Sequence, residues 1–271
     1  MDKLDRLSEE IEREALLSLH EHCPTRTREV LGLQLLEFGD ALAAIAANEP
    51  SILINRTLGL GTLQTPEPEQ VSDVAAAYDA AGVRRYFFHV YEDEAPSDVA
   101  EALQAAGLER VRGWMKFRRA GDAPVAERTT DLEVRLVDDE RGASDFGRIV
   151  AEAFGMTEEA GPLLAGLGRD ERWHLFVSYD GDEAAGAGAL MVENGVGWLE
   201  WGATSPAFRR RGSQGAIMAA RLRKAQELRC RHVFTETGEA VTDDPQHSYG
   251  NIQKAGFAES KLRQNFAPAQ Q

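Results

Sequence analysis

The stretch WGATSPAFRRRGSQGAIMAARLRK, residues 201–224, sets Arg209, Arg210 and Arg211 before Gly212 where an amphipathic helical pattern begins. Helix starts leave backbone N–H groups unpaired and carry partial positive charge, so three cations there are unfavourable unless an anion shares the site. A phosphate-binding loop needs converging N–H groups, a glycine that admits the ligand and a helix N-terminus behind them. Gly212 supplies the backbone freedom, Ser213, Gln214, Gly215 and Ala216 present N–H groups from the first turn, and the arginines suit phosphate oxygens. The GxxxxGK[ST] spacing of a Walker loop and the GxGxxG of a dinucleotide fingerprint are both absent. The same residues also fit a plain Ser213 N-cap above a solvated basic patch.

The chain around this loop is acidic, with a formal net charge of -15 over 271 residues. A general nucleic-acid binder needs a basic face to displace counterions from phosphates, so that class is excluded and any anion site must be local. The hydrophobic fraction of 43% and charged fraction of 28% belong to a globular chain that folds without metal or disulfides. Cys23 and Cys230 alone make no disulfide framework. The HEHC run at His20–Cys23 does not gather its side chains on one helix face, and no metal site is expected. The opening residues lack the apolar core of a signal peptide and no later run is long enough to span a bilayer, so a cytoplasmic location is the expectation.

The elements that must position the loop follow from periodicity. Residues 2–22 read as an amphipathic surface helix, LGLQLLEF and SILINRTLGL as strands, and EPEQVSDVAAAYDAAGV as a helix leading to the strand RRYFFHVY. A helix PSDVAEALQAAG and the strand LERVRGWMKFRR follow. AGDAPVAERTTD is polar, turn-rich and aperiodic, which marks a connector. Beyond it come a strand LEVRLV, two helices, three strands joined by turns at YDGDE and ENGVG, the helix after Gly212, strand HVFTET, a short helix ending at Gly256 and a last strand FAESKLRQNF. The second half repeats the order of the first, and the expected division is 1–120, a linker 121–131, and 132–271. Gly59 and Gly61 in the first half make a lone GxG that reads as a turn or bulge.

Arg209 through Gln214 resembles the pyrophosphate-binding motif Q/R-x-x-G-x-G/A of the GNAT superfamily of acyl-CoA-dependent N-acyltransferases, with Gln214 standing where that motif has a small residue. NIQKAGF, residues 251–257, is similar to the family's late helix and strand, and the resemblance covers about residues 132–267. The whole chain, with NRTLGLG and GWMKFRR in its first half, is similar to proteins with two GNAT-like domains of which one keeps the cofactor site. The resemblance implies an α/β (α+β) fold of two GNAT-like domains, each a mixed, largely antiparallel sheet flanked by helices. It implies acetyl-CoA as the cofactor, held at its pyrophosphate by Arg209, Arg210, Arg211, Gly212, Ser213, Gln214, Gly215 and Ala216. Gly202, Ala203 and Thr204 would offer backbone groups to the pantetheine arm, and Ser248 and Asn251 would lie near it.

Direct transfer from a thioester to an amine needs the amine neutral, the carbonyl polarised and a proton for the departing thiolate. No G-x-S-x-G elbow or Cys–His pairing suggests a covalent enzyme intermediate. Glu200 is the candidate base, or else a strand residue facing solvent. Glu236 and Glu239 flank the expected cleft, as bases or as recognition groups for a cationic acceptor. The family's late-helix tyrosine, four residues before the glycine of GF, is Ile252 here, which leaves Tyr249 as the candidate acid or a packed aromatic. His247 and Trp201 are candidates for the acceptor pocket, with a surface cap and a core position as their alternatives. Gly250, inside the short helix, suggests close approach by another group such as the cofactor, or else a helix boundary. The expected activity is N-acetyl transfer to a small or amino-acid-like amine, with no nucleic-acid or membrane partner and a homodimer as one possible assembly. A non-catalytic acyl-CoA sensor or structural module is the alternative. Transfer from aminoacyl-tRNA, a third reading, is opposed by the acidic composition.

Overall fold

The computed structural model describes residues 1–60, 68–91, 97–242 and 247–269. In the first half these form α1 (Lys3–Glu21), α2 (Thr25–Leu31), β1 (Leu33–Phe38), β2 (Ala41–Ala46), β3 (Arg56–Leu60), α3 (Pro68–Ala80), β4 (Phe87–Val90), α4 (Ser97–Ala105) and β5 (Leu108–Ala120). In the second half they form β6 (Glu133–Leu136), α5 (Glu140–Ala153), α6 (Ala160–Ala165), β7 (Trp173–Asp180), β8 (Glu183–Glu193), β9 (Val196–Thr204), α7 (Ser213–Glu227), β10 (His232–Gly238), α8 (His247–Lys254) and β11 (Ala258–Pro268). No helix among the described residues is long and apolar enough to cross a membrane.

Local chemistry fixes many of these elements. The Asp2 carboxylate accepts from the Asp5 N–H at 2.7 Å to cap α1, and Asp139 caps α5 through Gly142 N–H at 2.7 Å. The turn between β8 and β9 is Asn194-Gly195 with φ of 50° and 76°, the left-handed pair that a two-residue hairpin requires. ALAAIA of β2 is buried at every position and lacks alternation, so it gave no strand period to read. SILI of residues 51–54 is turn instead of strand. The Asn55 side chain accepts from Ala46 N–H at 2.7 Å and donates to the carbonyl of Glu49, tying the backbone into a loop. At Gly59, φ is +90° and a Cβ would fall 2.2 Å from Asp40 O, which makes it a bulge; Gly61 lies outside the described residues.

The strands join in a single sheet of order β1-β2-β3-β4-β11-β5-β10-β9-β8-β7-β6. Pairing is antiparallel except for β3 with β4 and β9 with β10, the two places where a helix, α3 or α7, carries the chain across. The expected pair of separate sheets is replaced by one sheet with exchanged strands. The last strand of the chain, β11, inserts between β4 and β5, and β5 pairs in turn with β10. Two discrete domains are therefore not resolved, although the order of elements repeats. Strand patterning reports which face is buried and not which neighbour is chosen, so this exchange had no sequence signal.

Helix α1 is another departure. Ile11, Ala15, Leu16 and Leu19 form its apolar stripe, yet Glu9, Glu12, Ser18 and His20 are buried as well. The expected surface helix is an interior one, packed against both β3 and β9. Its acids pass for a solvated face in the sequence because their partners lie on distant strands.

Candidate active site

Strand β9 runs parallel to β10 from Val196 opposite His232 to Leu199 opposite Thr235, and there the ladder ends. Thr235 Oγ1 closes it by donating to Leu199 O at 2.9 Å. Beyond that point β10 stays with β5, while β9 slips register against β8 and bulges at Trp201, a non-glycine residue at φ 56°. The edge of Gly202–Thr204 that faces away from β8 is thus released from its ladder. These three residues line a cleft of ≈ 950 Å³ together with the start of α7, the polar side of α8 and residues 125–129.

The loop before α7 builds the other side. Arg209 is extended, Arg210 is left-handed at φ 66°, and Gly212 at φ 84° is the N-cap residue of α7. A Cβ at Gly212 would stand 2.7 Å from Thr129 O, so glycine is required both for its conformation and for space. Ser213 is buried with its Oγ 2.8 Å from Ser178 Oγ, and it does not serve as a side-chain cap. The N–H groups of Ser213, Gln214 and Gly215 have no acceptor among the described residues, as a first helical turn leaves them. Ala216, expected as a fourth donor, gives its N–H to Gly212 O at 3.0 Å.

The three arginines divide. Arg209 and Arg210 are exposed, line the cleft and have no carboxylate partner among the described residues. Arg211 turns away to Asp180 (2.5 Å) and Asp131 (3.1 Å from Nε), so it fastens the loop to the β7–β8 turn and does not line the cleft. Across the opening, His247, Ser248, Asn251 and Lys254 of α8 face the loop, and Asn251 Nδ2 donates to Gln214 Oε1 at 2.6 Å. Gln214, where a small residue was expected, therefore links α7 to α8. A Cβ at Gly250 would meet no protein atom within 4 Å, so no described group makes the close approach expected there.

The acid–base candidates lie apart from this lining. Glu200 faces inward instead of toward solvent. Its Oε1 accepts from Arg56 Nη2 at 2.9 Å and its Oε2 from Trp198 Nε1 at 3.1 Å. Arg56 also reaches Glu12 at 3.2 Å and Glu236 at 3.6 Å, so its guanidinium spans β9 and β10 where they part. Lys116 lies 3.2 Å from both Glu9 and Glu236, contacts Glu12 and sits 4.5 Å from the Trp198 ring centroid. Arg263 pairs with Glu9 at 2.9 Å, Glu12 at 2.6 Å and Glu236 at 2.8 Å. Four carboxyls and three cations from both halves meet in one cluster, in which Glu9, Glu12, Arg56, Lys116 and Arg263 are buried, Glu200 and Glu236 are partly buried, and Tyr91 donates to Glu9 at 2.6 Å.

Within the cluster the surplus carboxyl has a location. Burial pushes Glu12 up, but Arg263, Lys116 and Arg56 together hold it well below the usual carboxylate range. Burial raises Glu200 despite Arg56 beside it, and raises Glu236 to about 7 despite Arg263. Burial also drives His89 well below the usual histidine range, so it adds no fourth cation. Glu9, Glu12, Arg56, Lys116 and Arg263 were missed by sequence reasoning. The trace they left was a lone charge in each apolar strand, Arg56 in INRTLGL and Lys116 in GWMKF.

Three further candidates are placed by packing. Tyr249 is buried edge-on to Phe117, 4.9 Å between centroids, and burial with a hydrogen bond to Glu259 pushes it up to about 12. It does not line the cleft, and the packed-aromatic alternative describes it. Glu239 accepts from Gly113 N–H at 2.7 Å and is bound to β5 outside the cleft. Trp201 is buried edge-on to Phe154, which itself lines the cleft.

This geometry has counterparts. Residues 145–257, less than half of the chain, match the model of the acetyltransferase (GNAT) family. That segment holds β9, the arginine loop, α7, β10 and α8. No curated protein matches the chain. Among solved structures it is similar to a GCN5-related N-acetyltransferase from Kribbella flavida, with TM-score 0.66 and 14% identity over 97% of this chain and 96% of that one. It is also similar to a GCN5-related N-acetyltransferase from Sphaerobacter thermophilus, with TM-score 0.59 and 15% identity over 85% and 81% of the two chains. A tandem GNAT protein from the clavulanic acid biosynthesis pathway gives TM-score 0.54 and 14% identity over 83% and 77%. At these identities the likeness is one of fold alone.

Proposed function

We propose that the protein is an acyl-CoA-dependent N-acyltransferase that moves an acetyl group from acetyl-CoA to the amine of a small or amino-acid-like acceptor by direct attack. The observation that carries this reading is the meeting, in one cleft, of a bulged strand edge, a helix N-terminus with three N–H groups and two arginines that have no partner among the described residues. These groups fit the cofactor. The released backbone of Gly202–Thr204 matches the amides of a pantetheine arm, and Ser213–Gly215 with Arg209 and Arg210 match a pyrophosphate. Bound acetyl-CoA would supply the activated thioester.

Glu200 stands two residues before Gly202 on the strand that lines the cleft, and burial raises its carboxyl above the usual range, which makes it a stronger base toward the amine. Arg56 and Trp198 hold that carboxyl in one orientation. The N-terminal half, which lacks a phosphate loop, supplies Arg56 to this arrangement.

The second reading, an acyl-CoA sensor without turnover, is favoured by one feature. Glu200 and Glu236 are already engaged by internal cations, and neither lines the cleft. Calorimetric titration with acetyl-CoA and CoA, followed by thiol release across an amine library, separates the two. Saturable binding with turnover of some amine supports the transferase. Binding without turnover of any amine supports the sensor. A folded protein that binds neither acetyl-CoA nor CoA refutes both.

A further inference from the structure

We infer that Arg128, from the segment joining the two halves, is a further phosphate-binding residue of the acyl-CoA cleft; the inference rests on the acyl-CoA reading above. Composition marked residues 121–131 as a plain linker, yet Val125–Thr129 form one wall of the cleft. The segment is fastened at both ends. Arg119 Nη2 donates to Ala123 O at 2.7 Å and Pro124 O at 2.8 Å, and Gln226 Nε2 donates to Ala123 O at 2.7 Å. At the far end Thr130 Oγ1 donates to Arg211 O at 2.7 Å.

Between these anchors the chain bridges α8 and α7. Arg128 Nη2 donates to Lys254 O at 2.6 Å, while the Cδ, Cγ and Cβ of the same side chain lie 3.6, 3.7 and 3.9 Å from where a Cβ on Gly215 would stand. A Cβ at position 215 would stand in van der Waals contact with this stem. Gly215 is the third residue of α7, so the guanidinium is carried on a stem that crosses the turn whose N–H groups lack acceptors.

Charge points the same way. Among the described residues the cleft lining holds Arg128, Arg209, Arg210 and Lys254 against one acid, Glu127, in a chain whose net charge is -15. Arg128 has no carboxylate partner among the described residues, and the acceptor of its Nη2 is a neutral carbonyl. Exchanging that carbonyl for a phosphate oxygen replaces a neutral acceptor with an ionised one, the stronger kind of hydrogen bond for a guanidinium. The ligand group is a phosphate at the nucleotide end of the cofactor.

The test is calorimetric titration of the full chain, as wild type, Arg128→Ala and Arg128→Lys, with CoA and with dephospho-CoA at low and high salt. Loss of one charge-assisted contact is expected to weaken CoA binding about tenfold in Arg128→Ala, with Arg128→Lys between the two. The wild-type advantage should narrow as salt screens the exposed charge, which a merely loosened segment would not show. A loss seen with CoA alone assigns Arg128 to the 3′-phosphate, and a loss with both ligands assigns it to the pyrophosphate. Arg128→Ala that binds CoA as tightly as wild type overturns the inference and leaves the acyl-CoA reading standing. A wild type that binds no CoA overturns both.

Discussion

Replacing Glu236 by glutamine should make the protein relatively more stable as pH rises, the reverse of what breaking a buried ion pair ordinarily does. Removing one partner of a buried pair commonly costs about 3–5 kcal/mol, because the other charge is left alone. Here the inventory is four carboxyls, Glu9, Glu12, Glu200 and Glu236, against Arg56, Lys116 and Arg263, so an amide at position 236 balances the cluster. Burial raises Glu236 from 4.5 to about 7. The folded state therefore binds this proton more tightly than the unfolded chain. Its stabilising effect is fully present below pH 4.5 and is lost as pH climbs through about 7, an interval worth about 3 kcal/mol for an isolated group. Urea denaturation of wild type and Glu236→Gln at pH 5.5 and pH 8 measures it, since the difference between the two differences cancels groups common to both proteins. Wild type should lose about 2 kcal/mol relative to the variant between those pH values. A variant destabilised by the same amount at both would refute the reasoning, because Glu236 would then be ionised throughout and properly paired.

Gly212→Ala forces a side chain into a left-handed position 2.7 Å from Thr129 O, and should cost about 1–3 kcal/mol in thermal or urea denaturation together with most of the CoA affinity. Gly250→Ala, where an added Cβ meets nothing within 4 Å inside α8, should stabilise by about 0.5–1 kcal/mol in the same assay. In an alanine scan of the arginine loop read by CoA titration, Arg209 and Arg210 should cost more affinity than Arg211, whose guanidinium is taken up by Asp131 and Asp180. Residues 132–271 expressed alone should fail to fold, because β10 and β11 lose β5 between them; co-expression with 1–131 should restore a folded complex by circular dichroism. An independently folded, cooperative 132–271 fragment would show that strand exchange is not needed.

What the sequence disclosed follows the range of each interaction. The arginine loop, the αL position at Gly212, the hairpin at Asn194-Gly195 and the α7 stripe of Met218, Leu222 and Ala225 are local, set by neighbours within a few residues. They were legible. The cleft wall at 125–129 was hidden because its position depends on Arg119, Gln226 and Thr130 holding an aperiodic segment in place. Arg211 belongs to the local motif by spacing, yet Asp131 and Asp180 are 80 and 31 residues away and decide where it points. The cluster was hidden for the same reason, since Glu12 meets Lys116 across 104 residues and Arg263 across 251.

The exchanged strands and the buried charges require each other. Inserting β11 between β4 and β5 carries Arg263 into the interior, and pairing β5 with β10 brings Lys116 beside Glu236. Without that exchange Glu236 would lose Arg263 and Lys116 and keep Arg56 alone, shared with Glu200, to offset its burial, and an uncompensated buried ion costs several kcal/mol. Without the carboxyls, Arg56, Lys116 and Arg263 would be the uncompensated charges, and α1 would have no partners for Glu9 and Glu12. The two halves are therefore coupled energetically through this cluster. The N-terminal half supplies two of the three cations facing Glu236, the guanidinium that orients Glu200 and, through β5, the strand that keeps β10 in place where β9 turns away to line the cleft.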